Sequence, residues 1–90
     1  MNTTFLLLAQ YGAIAIVPLE LVARDYFSHL TPEKLLRKIN VGDIALPLVR
    51  MEGSQKCAKG VHVQDLAKYI DARTEAARKE CSQLSAYAAI

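Results

Sequence analysis

The functional groups most suited to binding a partner are lysine and arginine side chains, and their excess over acidic residues lies in one segment. Residues 31–60 hold six basic side chains against three acidic ones, whereas the remaining residues hold five basic against six acidic. Such a patch fits a polyanionic partner, because lysine and arginine bind phosphate groups. The alternative is a solvated face on a nearly neutral domain, since the net charge is only +2. The six basic residues are Lys34, Arg37, Lys38, Arg50, Lys56 and Lys59.

No pattern typical of an enzyme accompanies these cations. Neither His29 nor His62 has a Cys or Asp at a spacing that implies a metal site or a nucleophile pair. We therefore expect no enzymatic activity, no metal and no other cofactor. His29 is a candidate phosphate contact, although a structural role is the simpler interpretation. Cys57 and Cys81 are expected to be reduced thiols of a cytoplasmic protein, with one disulfide as the alternative.

The apolar N-terminal run resembles a signal peptide or membrane anchor only in hydropathy. No basic residue precedes Arg24, so the positive n-region of a signal peptide is missing. Gly12 and Pro18 interrupt the run, and Glu20 would be costly in lipid. We expect no membrane partner. Two short apolar runs within residues 1–17 favour a buried β-hairpin, and the alternative is a single helix capped by Thr3 or Thr4 that ends at Gly12.

Two short helices are predicted next. Pro18 opens the first, in which apolar residues recur at helical spacing from Leu19 to Tyr26. Thr31 can cap the second, and Pro32 suits its first position because proline has no N–H to lose. Gly42 provides the stop after residue 41, because glycine tolerates a left-handed backbone. Residues 18–42 therefore predict a helix-turn-helix.

A basic hairpin and a long helix complete the predicted fold. We refer to residues 46–62 as the wing: a strand-like run, a turn near Gly53 and a second extended run. Residues 63–85 form the last predicted helix, with Leu66, Tyr69 and Ile70 on its apolar stripe. The expectation is one α+β domain over residues 1–90, a winged helix-turn-helix with an N-terminal β-hairpin and a long C-terminal helix.

The chain also resembles a known family. The segments that carry the resemblance are 5–11 (FLLLAQY), 18–22 (PLELV), 25–34 (DYFSHLTPEK), 36–38 (LRK) and 54–62 (SQKCAKGVH). Together they are similar to the pyocin activator protein (PrtN) family over about residues 5–73, and the resemblance fades after about Glu80. More distantly, residues 17–70 resemble excisionase and MerR-type winged helices in element order. The resemblance implies a bacterial transcription activator that binds repeated promoter elements of bacteriocin or phage-tail-like gene clusters.

This hypothesis assigns roles to the basic residues. Helix 31–41 would enter a major groove, with Lys34, Arg37 and Lys38 contacting it, while the wing lies over the adjacent backbone or minor groove. Thr31 and the helix N-terminus would hold a phosphate. Arg50, Lys56 and Lys59 complete the predicted DNA-binding set, with the two lysines anchoring the wing.

The expected partners follow from the same hypothesis and from hydropathy. They are double-stranded promoter DNA, RNA polymerase and further copies of the chain. A homo-oligomer is expected because 52% of the residues are hydrophobic and the last helix exceeds what so small a core can cover. Two other functions stay open at this point: an excisionase-like architectural DNA-binding factor, and a protein–protein adaptor that binds no nucleic acid.

Overall fold

The structure has four helices and a three-stranded antiparallel sheet, so the predicted α+β class is confirmed. The computed structural model describes residues 2–88, so positions 1, 89 and 90 of the predicted domain lie outside the described residues. The elements in chain order are α1 (Thr3–Tyr11), β1 (Ile16–Pro18), α2 (Leu19–Tyr26), α3 (Pro32–Asn40), β2 (Val49–Arg50), β3 (Lys59–His62) and α4 (Val63–Ala88). Within this range no helix has the length and hydropathy needed to cross a bilayer.

The predicted N-terminal β-hairpin is wrong, and the helical alternative is correct for the first half of the segment, although Asn2 and not Thr3 or Thr4 is the N-cap. The Asn2 side chain caps α1 by accepting a hydrogen bond from the Phe5 N–H at 2.8 Å. The helix ends at Gly12, where φ is +83°. Leu7 is buried against the core, and Leu8 and Tyr11 pack beside it. Hydropathy alone did not separate a short buried helix from a buried strand.

The two central helices are confirmed as predicted. In α2, Leu19, Val22 and Ala23 are buried, which is the stripe read from the sequence. In α3, the Thr31 hydroxyl oxygen accepts from the Lys34 N–H at 3.2 Å, and Pro32 occupies the first turn. Gly42 follows the end of α3 with φ at +82°, so the predicted stop is also correct.

The strand order in the sheet is β1-β3-β2, with β3 antiparallel to both neighbours. Pro18 and Val49 flank Gly60 of β3 on its two sides. A Cβ atom built at Gly60 would lie 2.5 Å from the Val17 carbonyl oxygen and 2.7 Å from a methyl carbon of Ile16. A glycine is therefore required for β1 to approach β3 this closely.

The wing forms a hairpin with shorter strands than its sequence predicted. Val49 pairs with Gly60 and Arg50 with Lys59, and the chain between them forms a loop. The extended run was predicted from residue 46, but Leu46 is buried in the core ahead of the strand. Pro47 has no N–H for a ladder hydrogen bond, which explains why the strand begins after it.

The core lies between the sheet, α1, α2, α3 and the first turns of α4. Its fully buried side chains include Leu35 of α3 and Leu66 of α4. The predicted long C-terminal helix is confirmed, with Leu66 buried and Tyr69 and Ile70 half-buried. Residues 75–86 of α4 are exposed throughout, so this helix projects past the folded body. The buried core is Leu7, Val17, Leu19, Val22, Ala23, Phe27, Leu35, Ile44, Leu46, Val61, Val63, Leu66 and Ala67.

Candidate nucleic-acid interface

The predicted DNA-binding residues divide between the outward side of α3 and the wing. Leu35 faces the core, and at 3.6 residues per turn Arg37 lies about half a turn from it. Lys34 precedes Arg37 by three residues, so the two side chains are neighbours on the helix surface. Both are exposed. We call Lys34 and Arg37 the outward face of α3.

The cations of this face form no ion pair within the part of the chain that the structure describes. Across residues 2–88, the one ion pair joins Arg24 to Asp25, with 2.8 Å between the guanidinium Nε and a carboxylate oxygen. Lys34 and Arg37 therefore have no carboxylate within ion-pair distance among the described residues. An exposed cation that is not neutralised internally is available to an anionic partner.

Lys38 follows Lys34 by four residues, so the two side chains are neighbours on the surface of α3. It is exposed at the rim of an apolar groove of about 660 Å³ on the side of α3 away from the wing. We call this the apolar groove and define it by Phe27, Leu30, Ile44, Tyr69 and Ile70. Lys38 thus borders both the outward face of α3 and the apolar groove.

The wing is joined to α3 by a polar contact. Arg50 donates from Nη2 to the Asn40 side-chain oxygen at 3.2 Å. Asn40 is exposed in the last turn of α3, and this asparagine is a candidate DNA contact that the sequence analysis missed. Its position three residues after Arg37 is the signal that could have found it. The amide NH2 of Asn40 remains available as a donor.

The two lysines of the wing have different environments. Lys56 is exposed, and its backbone N–H donates to the Ser54 hydroxyl at 3.1 Å, which fixes the turn. Lys59 is half-buried, and its ammonium donates to the carbonyl oxygens of Gln55 and Cys57. Lys59 therefore holds the wing loop closed, while Lys56 presents its charge to solvent.

A groove of about 750 Å³ separates α3 from the wing. Leu36 lines it from α3, and Lys56 and Lys59 line it from the wing. Glu20 and Glu33 also line it, so the groove itself carries both signs of charge. A phosphate is better placed on the outward face of α3 and at the exposed tip of the wing than inside this groove.

The N-terminus of α3 is occupied by its own cap. The Thr31 hydroxyl oxygen accepts from the Lys34 N–H, which leaves the hydroxyl proton as the group that can reach a phosphate. Glu33 in the first turn adds negative charge beside that site. Thr31 is exposed, and its main contribution is to cap α3, the helix that carries Lys34 and Arg37.

His62 and Cys57 lie in the wing, where Cys57 lines the groove beside α3, whereas His29 and Cys81 lie outside the candidate interface. The Gln64 N–H at the start of α4 donates to His62 Nδ1 at 3.1 Å. His29 is exposed beside the Phe27 ring, with 6.3 Å between ring centroids. Cys57 and Cys81 are free thiols. Within residues 2–88 no three His, Cys, Asp or Glu side chains are grouped for a metal ion.

A polar cluster on the other side of the molecule fixes α1 against α2. The Asp25 carboxylate accepts from the Tyr11 hydroxyl at 2.6 Å and from the Arg24 guanidinium at 2.8 Å. The Arg24 guanidinium, and then the Tyr11 hydroxyl, lower the pKa of Asp25 from 3.8 to about 2. Burial and the bond to Asp25 raise the pKa of the Tyr11 phenol. Tyr26 donates to the Gln10 side-chain oxygen at 2.8 Å beside this cluster.

A comparison with known protein families identifies the chain. The family model described as pyocin activator protein PrtN matches residues 3–77. This range covers α1, the sheet, α2, α3 and the first half of α4. No curated protein and no solved structure matches the chain significantly. Since the matched range is most of the sequence, the chain belongs to the pyocin activator protein PrtN family.

Proposed function

We propose that this protein is a transcription activator that binds promoter DNA as a winged helix-turn-helix. The observation that carries the proposal is the outward face of α3, where Lys34 and Arg37 are exposed without a carboxylate partner among residues 2–88. Membership of a family of activators supports the regulatory role. Bacteriocin gene clusters are the targets that the family description suggests.

The order of elements supports this proposal. α2 ends at Tyr26 and α3 begins at Pro32, so residues 27–31 join them. The C-cap Phe27 and the N-cap Thr31 leave three residues for the turn itself, a length found in helix-turn-helix motifs. The β2–β3 hairpin follows α3 directly and contacts it through Arg50 and Asn40. In this arrangement α3 inserts into the major groove and the wing crosses the neighbouring backbone.

Five of the six basic residues then have assigned roles. Arg37 lies near the middle of α3 and has a planar fork of donors, which suits a bidentate contact to guanine. Lys34 and Lys56 bind phosphates as point charges. Arg50, with Asn40, orients the wing against the helix, and Lys59 holds the wing loop in the shape that presents Lys56.

The protein would act in the cytoplasm, where bacterial DNA and RNA polymerase are found. Footprinting of the purified protein on the promoters of the host's bacteriocin clusters tests the proposal, together with a promoter–reporter assay. We expect protection of repeated elements and reporter activation that both require the protein. Absence of protection, with no salt-sensitive retention on duplex DNA, would instead indicate an adaptor that binds no nucleic acid.

A further inference from the structure

The apolar groove between α4 and the α2–α3 connection continues beyond the folded body. Tyr69, Ile70 and Ala77 of α4 line the groove. The same side of α4 continues through Ala77 to Cys81 and Leu84, at spacings of four and three residues. Leu84 is 66% exposed, and residues 75–86 have no buried side chain. The chain thus presents an apolar groove and, next to it, an unpartnered helix face that bears a large apolar side chain.

We propose that a second copy of this chain covers both features, through an antiparallel pairing of the two α4 helices. A twofold axis between Ala76 and Ala77 brings the two copies together at their smallest side chains. The same axis sets Leu84 of each copy level with Tyr69 of the other, at the apolar groove. Each copy then inserts the leucine that it exposes into the groove that the other copy leaves open.

Charge complementarity selects this orientation. Arg73 lines the apolar groove, and Glu80 lies beside Cys81 and Leu84. The two are seven residues apart, so they project from the same side of α4, about 10 Å apart along its axis. Neither forms an ion pair within residues 2–88. In an antiparallel pair, the same side of α4 in each copy faces its counterpart in the other copy. The twofold axis between Ala76 and Ala77 therefore sets each Arg73 level with Glu80 of the other copy. A parallel pair brings unequal flanks together and leaves both charges without this partner.

The pairing has a consequence for the surface near α3. Lys38 lies at the rim of the apolar groove, together with Asp43. A second copy seated in the groove would cover Lys38, whereas Lys34 and Arg37 on the outward face of α3 would stay accessible.

Sedimentation equilibrium of the full chain tests the proposal. We expect a reversible dimer at micromolar concentration, and Leu84→Glu should raise its dissociation constant by at least about tenfold. The matched control is Phe5→Glu, which places the same charge at an apolar side chain of α1 that is 61% exposed. Circular dichroism and thermal melting check that both variants fold. A monomeric parent, or a dimer that Phe5→Glu disrupts as strongly as Leu84→Glu, would overturn the proposal.

Charge reversal tests the orientation. Arg73→Glu and Glu80→Arg should each weaken the dimer by about tenfold, because each change replaces two attractions by two repulsions across the twofold. The double variant should restore the dissociation constant to within about threefold of the parent's. Failure of the double variant to recover, or ready formation of a Cys81–Cys81 disulfide under mild oxidation, would overturn the antiparallel arrangement. The readout is oligomeric state without DNA, so its failure is distinct from a failure of DNA binding.

Discussion

Arg50 of β2 donates a hydrogen bond to Asn40 in the last turn of α3, with 3.2 Å between guanidinium Nη2 and the amide oxygen. This contact joins the two elements that we propose to hold DNA. The guanidinium of Arg50, which the sequence predicted to bind DNA, is thus hydrogen-bonded within the protein. The contact is exposed, so its contribution to stability is small, and its effect is on the orientation of the wing.

The first prediction concerns this contact. Asn40→Ala should weaken binding to promoter DNA by about threefold to tenfold, because the wing loses its fixed orientation relative to α3. The melting temperature should stay close to the parent's, since surface changes of this kind have small effects on stability. Fluorescence anisotropy with a labelled promoter fragment measures the affinity. An unchanged affinity would show that DNA binding does not depend on the orientation of the wing.

The second prediction concerns Arg37. Arg37→Ala should cost about 1–3 kcal/mol on the specific promoter site and much less on random DNA, because a base contact is lost. Arg78→Ala is the matched control, since Arg78 is exposed on the projecting half of α4. Competition binding with specific and random duplexes gives both values. Equal losses on the two kinds of DNA would show that Arg37 contacts phosphate only.

The third prediction separates the two lysines of the wing. Lys56→Ala should weaken specific and non-specific binding alike and reduce the salt slope by about one unit. Lys59→Ala should also loosen the wing loop, because its ammonium bridges the carbonyl oxygens of Gln55 and Cys57. Hydrogen exchange of the 51–58 backbone measures this loosening. Identical exchange in the two variants would argue against the structural role of Lys59.

The fourth prediction concerns Gly60. Gly60→Ala should lower the free energy of unfolding by about 1–3 kcal/mol, because the new methyl group would meet the Val17 carbonyl and Ile16. Gly53→Ala is the control, since a Cβ at Gly53 meets no atom within 4 Å. Its effect should stay within about 0.5 kcal/mol. Urea denaturation compares the two, and equal midpoints would contradict the close approach of β1 to β3.

The fifth prediction concerns pH. Because hydrogen bonds lower the pKa of Asp25 from 3.8 to about 2, the ionised carboxylate stabilises the fold above about pH 4. This contribution should be lost as the pH falls from about 4 to about 2. Asp25→Asn should show a smaller loss of stability over that range than the parent. Asp43→Asn serves as the control. Urea midpoints measured across this pH range test the prediction, and the same pH dependence for Asp25→Asn and the parent would contradict it.

The sequence predicted those parts of the fold that depend on local chemistry. Thr31, Pro32 and Gly42 fixed the limits of α3, because capping and φ preferences act within a few residues. The N-terminal segment was wrongly predicted as a hairpin, because Phe5–Leu8 and Ile14–Val17 are uniformly apolar and show no period. The strand at Ile16–Pro18 pairs with β3, a partner more than forty residues away that local patterns do not identify.

The basic residues of the candidate site were predicted from the sequence, but their tertiary surroundings were not. Lys34 and Arg37 lie on one outward face, as their spacing indicated. The position of Lys38 at the rim of the apolar groove depends on where α4 lies relative to α3, and the role of Lys59 depends on the path of the wing loop. Both are tertiary features. Asn40 was missed because its partner, Arg50, is joined to it only in the folded structure.

The salt dependence of promoter binding tests the central claim most directly. The variant Lys34→Ala/Arg37→Ala/Lys56→Ala removes three positive charges from the proposed DNA surface. Lys68→Ala/Arg78→Ala/Lys79→Ala removes three from exposed positions on α4 and leaves the same net charge. The slope of log K against log salt is negative for DNA binding. We predict that the first variant makes this slope less steep by about two to three units, and that the second keeps a slope near the parent's. Equal slopes for the two variants would contradict the assignment of α3 and the wing as the DNA-binding surface.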